Sequence, residues 1–291
     1  MVKERGVEAP QTTCHFGAQG PVSVALAKLF GTEDSPFDAP KPLAMIKDFV
    51  ARFTEAGDII LDFFSGSSTT AHGVMELAKE TGEQRRYILV QIREDLNKAL
   101  RQASKDGKKT VKTAISYLNA HGLAPWVTEI GKERIRRAGK AIMDECVGDG
   151  DNKVLPDVGF RVLRLDSSNM EDIYYTPDEL QQSELGLFVD NVKPDRTAED
   201  LLFQSMLELG AELSSRIERL DMDGKTVYEV ADGHILACFE KNLTEEVLTA
   251  MAKRHPTYAV LRDSSYANDS VAANCEQIFR TYSEHTELKV L

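Results

Sequence analysis

No two of the ten prolines in this 291-residue chain are adjacent, and no stretch of about 18 apolar residues occurs in it. The second absence excludes a helical membrane span. The N-terminus, MVKERGVEAP, has no apolar stretch after its charges and so does not read as a secretion signal. Cysteine is scarce and scattered: Cys14, Cys146, Cys238 and Cys275 form no CxxC pair and no Cys/His ligand spacing, which leaves no basis for a disulfide framework or a zinc site. A reducing cytoplasm is the expected location. Basic charge is short too, since the net charge is −12. The deficit is uneven: residues 1–150 carry 21 Lys and Arg against 20 Asp and Glu, whereas residues 151–291 carry 14 against 27. The second half is therefore a poor surface for phosphate. The first half has basic runs at Arg85–Arg86, Lys105–Lys112 and Lys132–Lys140, which fit either a nucleic-acid contact or solvated helix faces.

The apolar pattern divides what remains. Residues 1–40 are rich in Gly, Pro, Ser and Thr, with one helical patch, PVSVALAKLFG. From Lys41 the spacing of Leu43, Ile46, Phe49, Val50 and Phe53 predicts a helix. GDIILDFF then reads as a strand buried on both faces, with Phe63 in the core, and SGSS as a turn. TTAHGVMELAKE reads as a helix, and RRYILVQI as a second buried strand. Strand, turn, helix and strand make a βαβ unit with a right-handed crossover. Two further helical regions run from residue 93 to 120 and from 125 to 146, and the VGDGDNKVLP stretch predicts a linker. Beyond it GFRVLRLD predicts a strand and TAEDLLFQSMLELGAEL a helix. TVYEVADGHILACFE predicts a hairpin turning at Asp232-Gly233. A strand at YAVLRD, a helix through Val271, Cys275, Ile278 and Phe279, and a final strand complete a second α/β domain.

The chemistry sits in Asp62-Phe63-Phe64-Ser65-Gly66-Ser67-Ser68-Thr69-Thr70, between the first strand and its helix. Such a turn presents backbone N–H groups and a helix N-terminus at the sheet edge where α/β folds bind nucleotides. It lacks the lysine of a P-loop and the GxGxxG of a dinucleotide fingerprint. An S-adenosylmethionine site fits, because it needs a small residue for close backbone approach and a strand-end carboxylate, here Asp62, for the α-ammonium.

At these residues the chain resembles the adenine-specific DNA methyltransferases of type III restriction-modification systems, the Mod subunits, in which the cofactor motif follows the catalytic one. Their DFFSGSGTTAHAVM is similar to DFFSGSSTTAHGVM here. The FDAPKP segment, RRYILVQ, IGKERIRRAGKAI, GFRVLRLDSSNM and RDSSYANDSVAANCEQIF carry the resemblance from about residue 25 to the end. The resemblance implies an incomplete Rossmann-like methyltransferase sheet over residues 41–148 and a smaller α/β C-terminal domain over 151–291. Residues 1–40 would then be the tail of a preceding target-recognition region. It implies S-adenosylmethionine as cofactor, with Phe64, Ser65, Gly66 and Ser67 around its methionine part. Thr69 and Thr70 would cap the helix, Gln91 would reach the ribose, and Lys41 and Pro42 would close the pocket. Ser68 stands where the family has a second glycine, so a positive φ there would strain the turn and weaken the cofactor site.

The absence of paired prolines now acquires its meaning. The family methylates an exocyclic amine through a [DNS]PP[YFW] loop that holds a flipped base, and this chain cannot contain one. The expectation is the cofactor-binding part of an N6-adenine methyltransferase, inactive alone. Double-stranded DNA would be met mainly through the absent N-terminal half. The acidic domain would serve contact with a second Mod copy and with the restriction (Res) subunit. The alternative is a non-catalytic module that docks on a Mod or restriction subunit, and a small-molecule methyltransferase would need turnover by this chain alone.

Overall fold

The computed structural model describes residues 19–148, 155–171 and 191–291, so most of the linker expected between Val147 and Pro156, and Cys14, fall outside it. The chain forms two compact units, residues 1–160 and 161–291. The first unit runs ten residues past the start of the expected second domain, because Val158 and Phe160 pack on its core.

In the first unit, α1 (Gln19–Phe30) stops at Gly31, whose φ of +68° suits glycine. Helix α2 (Leu43–Phe53) leads to β1 (Ile59–Phe63), α3 (Thr69–Thr81) and β2 (Arg86–Val90). Three more helices follow: α4 (Leu96–Gln102), α5 (Lys105–Ala120) and α6 (Val127–Gly148). The region from 93 to 120 is two helices rather than one, since Ser104 takes up the Gly107 N–H and starts a new helix. Strands β1 and β2 are parallel, with Ile59 opposite Arg86 and Phe63 opposite Val90, as the βαβ reading expects. Helix α3 is the hub. Its Ala71 and Met75 meet Ile135, Ala138, Ile142 and Cys146 of α6, while Val74 and Leu77 meet Val50 of α2. Burial of one such large side chain stabilises by roughly 1.5–3 kcal/mol. Ile60, Tyr87 and Leu89 close these clusters from the strands.

Only one face of the two-stranded sheet is covered. Along both strands exposure alternates, and Ile59, Leu61, Phe63, Ile88 and Val90 on the other face are 46–66% exposed. The expectation of strands buried on both faces, and of Phe63 in the core, is thereby corrected. A continuous apolar run records that a strand is to be sandwiched, and here no described residue of the chain provides the second layer.

The second unit starts from α7 (Ala198–Glu208), whose Thr197 and Asp200 form a reciprocal capping box. Five strands follow with two helices: β3 (Ile217–Met222), β4 (Lys225–Val230), β5 (Ile235–Cys238), α8 (Glu245–Ala252), β6 (Tyr258–Leu261), α9 (Asp269–Tyr282) and β7 (Glu287–Val290). They form one sheet in the order β3-β4-β5-β6-β7, antiparallel over the first three strands and parallel over the last three. Helices α8 and α9 pack on one face and α7 on the other. Three local expectations need correction. Residues 159–166 form no strand ladder. The two-residue Asp-Gly turn is Asp223-Gly224, joining the unforeseen strand β3 to β4, with φ of +52° and +73°. Asp232-Gly233 belongs instead to a four-residue loop between Val230 and Ile235. Cys146, Cys238 and Cys275 are free and buried, and among the described residues no helix is long and apolar enough to cross a membrane.

Candidate functional site

The segment from Phe64 to Ser68 leaves β1 and enters α3 through a turn tied down at three points. Ser65 N–H donates to the Val90 carbonyl at 3.1 Å, and Ser68 N–H donates back to the Ser65 carbonyl at 2.8 Å. Gly66 N–H donates to Gln91 Oε1 at 2.8 Å. Gly66 has φ +53°, and a Cβ placed on it would stand 3.0 Å from the Phe37 ring. The chain before α2 thus lies across the turn, and only glycine satisfies both the backbone angle and the space. Phe37 was not among the expected site residues, although the FDAPKP segment that contains it was. Pro42 directly precedes α2; Lys41 is exposed and makes no hydrogen bond or ion pair among the described residues.

The hydroxyls around the turn are allocated differently from expectation. Thr70 Oγ1 donates to Asp62 Oδ2 at 2.5 Å, which holds the strand-end carboxylate against the first turn of α3. Ser67 Oγ and Thr69 Oγ1 both accept from Arg134 Nη1 of α6, at 2.8 and 2.7 Å. Neither threonine caps the helix: Ser68 occupies the capping position without a side-chain cap bond, so the first N–H groups of α3 are left for another acceptor. Gln91 spends its amide inside the protein, accepting from Gly66 and donating from Nε2 to the Ile92 carbonyl at 3.2 Å. It latches the end of β2 to the turn. Phe64 is 63% exposed beside this cluster. The structure therefore brings together Asp62, Ser65 to Thr70 and Gln91, and adds Arg134.

By sequence Arg134 belongs to KERIRRAGK, which has the look of a basic surface run. Its neighbours do pair at the surface, Lys132 with Glu129 and Arg136 with Glu133. Arg134 itself is 4% exposed. Burial pulls its guanidinium down to about 10, still well above neutral pH. The same burial lowers the pKa of His72 in the second turn of α3, with the Arg134 charge adding to the effect. Glu76 lies against His72 and Lys79, which hold its carboxyl down at about 2.

Ser68 carries the departure noted from the sequence, and its φ of +59° and ψ of +41° are left-handed. A left-handed non-glycine residue costs roughly 1–2 kcal/mol, of which glycine's extra chain entropy would return about 0.5–1. Ser68→Gly is therefore expected to raise the unfolding free energy by about 1 kcal/mol, a rise in melting temperature of about 3 °C by circular dichroism. A lower melting temperature would show that the Ser68 side chain contributes more than its backbone angle costs.

With this geometry established, sequence comparison places it. Residues 20–102 match the DNA methylase family. The chain is 38% identical over 115 residues to the Mod subunit of the type III restriction-modification enzyme StyLTI of Salmonella typhimurium, covering 39% of this chain and 15% of that protein. It is 28% identical over 230 residues to the EcoP15I Mod subunit of Escherichia coli, covering 79% of this chain and 30% of that one. Against the EcoPI Mod subunit of Escherichia phage P1 it is 27% identical over 219 residues, covering 75% and 29%. The chain thus spans less than a third of the length of each of these relatives. Glycine turn, parallel strand pair and helix α3 all lie within the segment that matches the DNA methylase family, and the chain is similar to type III Mod subunits over as much as 79% of its length.

Proposed function

We propose that this chain is the cofactor-binding part of a site-specific DNA adenine N6-methyltransferase, built around a Rossmann-like half-sheet that receives S-adenosylmethionine. The observation that carries this reading is the turn itself: a glycine at φ +53° latched by Gln91, with a carboxylate at the strand end and uncapped N–H groups at the start of α3. These residues fit the cofactor. Asp62 keeps Oδ1 without a partner among the described residues, which suits an α-ammonium group. The uncapped N–H groups at the start of α3 suit an α-carboxylate. Gly66 lets the backbone approach, with Ser65, Ser67, Ser68 and Thr69 forming the wall of the turn. Phe64 offers an apolar surface, and the resemblance assigns Lys41 and Pro42, in the segment that follows Phe37, to the border of the site. Bound there, S-adenosylmethionine supplies an electrophilic methyl group on its sulfonium.

The acceptor in this reading is the exocyclic amine of a flipped adenine in duplex DNA, held by a [DNS]PP[YFW] loop that this sequence does not contain. That loop would have to come from residues outside this sequence. The bare face of β1 and β2 favours a further covering layer, since an apolar face left open in water is a site for more protein. The acidic second unit would serve contacts with a second Mod copy and with a restriction (Res) subunit. The test is transfer of labelled methyl groups to duplex DNA. This chain alone should give none, and addition of a polypeptide bearing the DPPY-type loop should restore transfer to adenine N6. Efficient methylation by the chain alone, or none on reconstitution with a folded partner that binds DNA, would contradict the proposal.

A further inference from the structure

Helix α6 begins after Trp126, more than fifty residues beyond the glycine turn, yet it forms the floor beneath it. Gly131 lies so close that a Cβ there would stand 2.6 Å from Ser68 Oγ. One turn further along, Arg134 bonds to Ser67 and Thr69, on either side of Ser68. Its surroundings are unusual for a buried guanidinium: among the described residues it makes no ion pair, and Nε has no hydrogen-bond partner. Two serine and threonine hydroxyls are weak compensation for a charge taken out of water. The N-terminus of α3 is positive as well, so its field adds to that of Arg134 instead of cancelling it. Two sources of positive potential therefore converge behind Ser67, Ser68 and Thr69, and the local field favours a negative group in front of them.

Resting on the cofactor reading above, we infer that Arg134 is a positioning residue for the amino-acid end of the cofactor. It sets the orientation of the Ser67 and Thr69 hydroxyls and supplies an uncompensated positive charge behind the turn, which favours an α-carboxylate there. It acts through the turn and need not touch the ligand. The role concerns the amino-acid end and not the adenosine end, which separates it from general support of the fold.

The experiment is calorimetric titration of the full chain, wild type and Arg134→Met, with two probes: S-adenosylhomocysteine, which has the amino-acid end, and methylthioadenosine, which does not. Loss of a charge-assisted arrangement is worth on the order of tenfold or more. Arg134→Met is expected to weaken S-adenosylhomocysteine at least tenfold and leave methylthioadenosine within about twofold, with Arg134→Lys recovering part of the loss because the charge remains. Equal weakening of both probes would overturn the inference in favour of a scaffold role, and unchanged binding of both would overturn it outright. Should Arg134→Met fail to fold, Ser67→Ala removes one acceptor of the same contact and must show the same selectivity between probes. A folded wild-type chain that binds neither probe would instead refute the cofactor reading itself.

Discussion

Gly66→Val is expected to weaken S-adenosylmethionine binding by on the order of a hundredfold and to destabilise the first unit by about 2–5 kcal/mol. Two separate penalties add. A β-branched residue at φ +53° sits in a region that L-residues other than glycine rarely occupy. Its Cβ would also meet the Phe37 ring at 3.0 Å, and the γ-carbons would drive further into the segment that crosses the turn. Relief by backbone movement would break the Gly66 to Gln91 latch and shift the N–H groups of the turn. Titration calorimetry and thermal melting would read the two effects separately. Gly66→Ala should show the same pattern at smaller size, and a valine variant that keeps both stability and affinity would show that the glycine is dispensable.

The bare sheet face gives the second large effect, this time with almost none on the chain alone. Leu61 and Ile88 are directly opposite in the β1–β2 register and about half exposed. The pair Leu61→Lys and Ile88→Glu places opposite charges across the strands and buries nothing. Unfolding free energy of the isolated chain should change by less than about 1 kcal/mol, as for other surface substitutions. Binding of a hydrophobic dye should fall several-fold, and methyl transfer on reconstitution with the complementing polypeptide should be lost. Met75 of α3 is the contrast, being 1% exposed in the cluster with Ile135 and Leu89, where a lysine would leave an unpaired charge in the core and unfold the unit. Retained reconstitution with the charged pair in place would mean that this face is not where the partner sits.

Much of the first unit was legible because its signals are local. The β1, α3 and β2 segments follow from an apolar run, a small-residue turn and a 3.6-residue period, and the structure places them within a residue or two of the sequence reading. What periodicity could not supply was the origin of the second covering layer, which is why Phe63 reads as core and is exposed. In the second unit two Asp-Gly dipeptides compete for the hairpin turn, and sequence alone does not show that Asp223-Gly224 closes the two-residue loop. GFRVLRLD has the alternation of a strand but finds no ladder partner among the described residues. At the site, Asp62, Gly66 and Gln91 could be picked out by residue type and position, whereas the use of their hydrogen bonds could not. Arg134 does carry a sequence signal: Ile135, Ala138 and Ile142 define the inward stripe of α6, and residues 131 and 134 lie on the same side. A basic residue on that stripe has to be held by something inside.

The central claim is that the Asp62 to Thr70 turn binds S-adenosylmethionine, and titration calorimetry of the purified chain, with Asp62→Ala beside it, tests this most directly. Asp62 keeps one carboxylate oxygen on Thr70, and the proposal assigns the other to the ligand's ammonium, so its removal should cost an ionic hydrogen bond and loosen the start of α3. The account predicts saturable one-to-one binding by the wild-type chain and affinity reduced by about tenfold to a hundredfold in a variant that still folds. A folded wild-type chain with no detectable binding, or an alanine variant that binds as tightly as wild type, would contradict it.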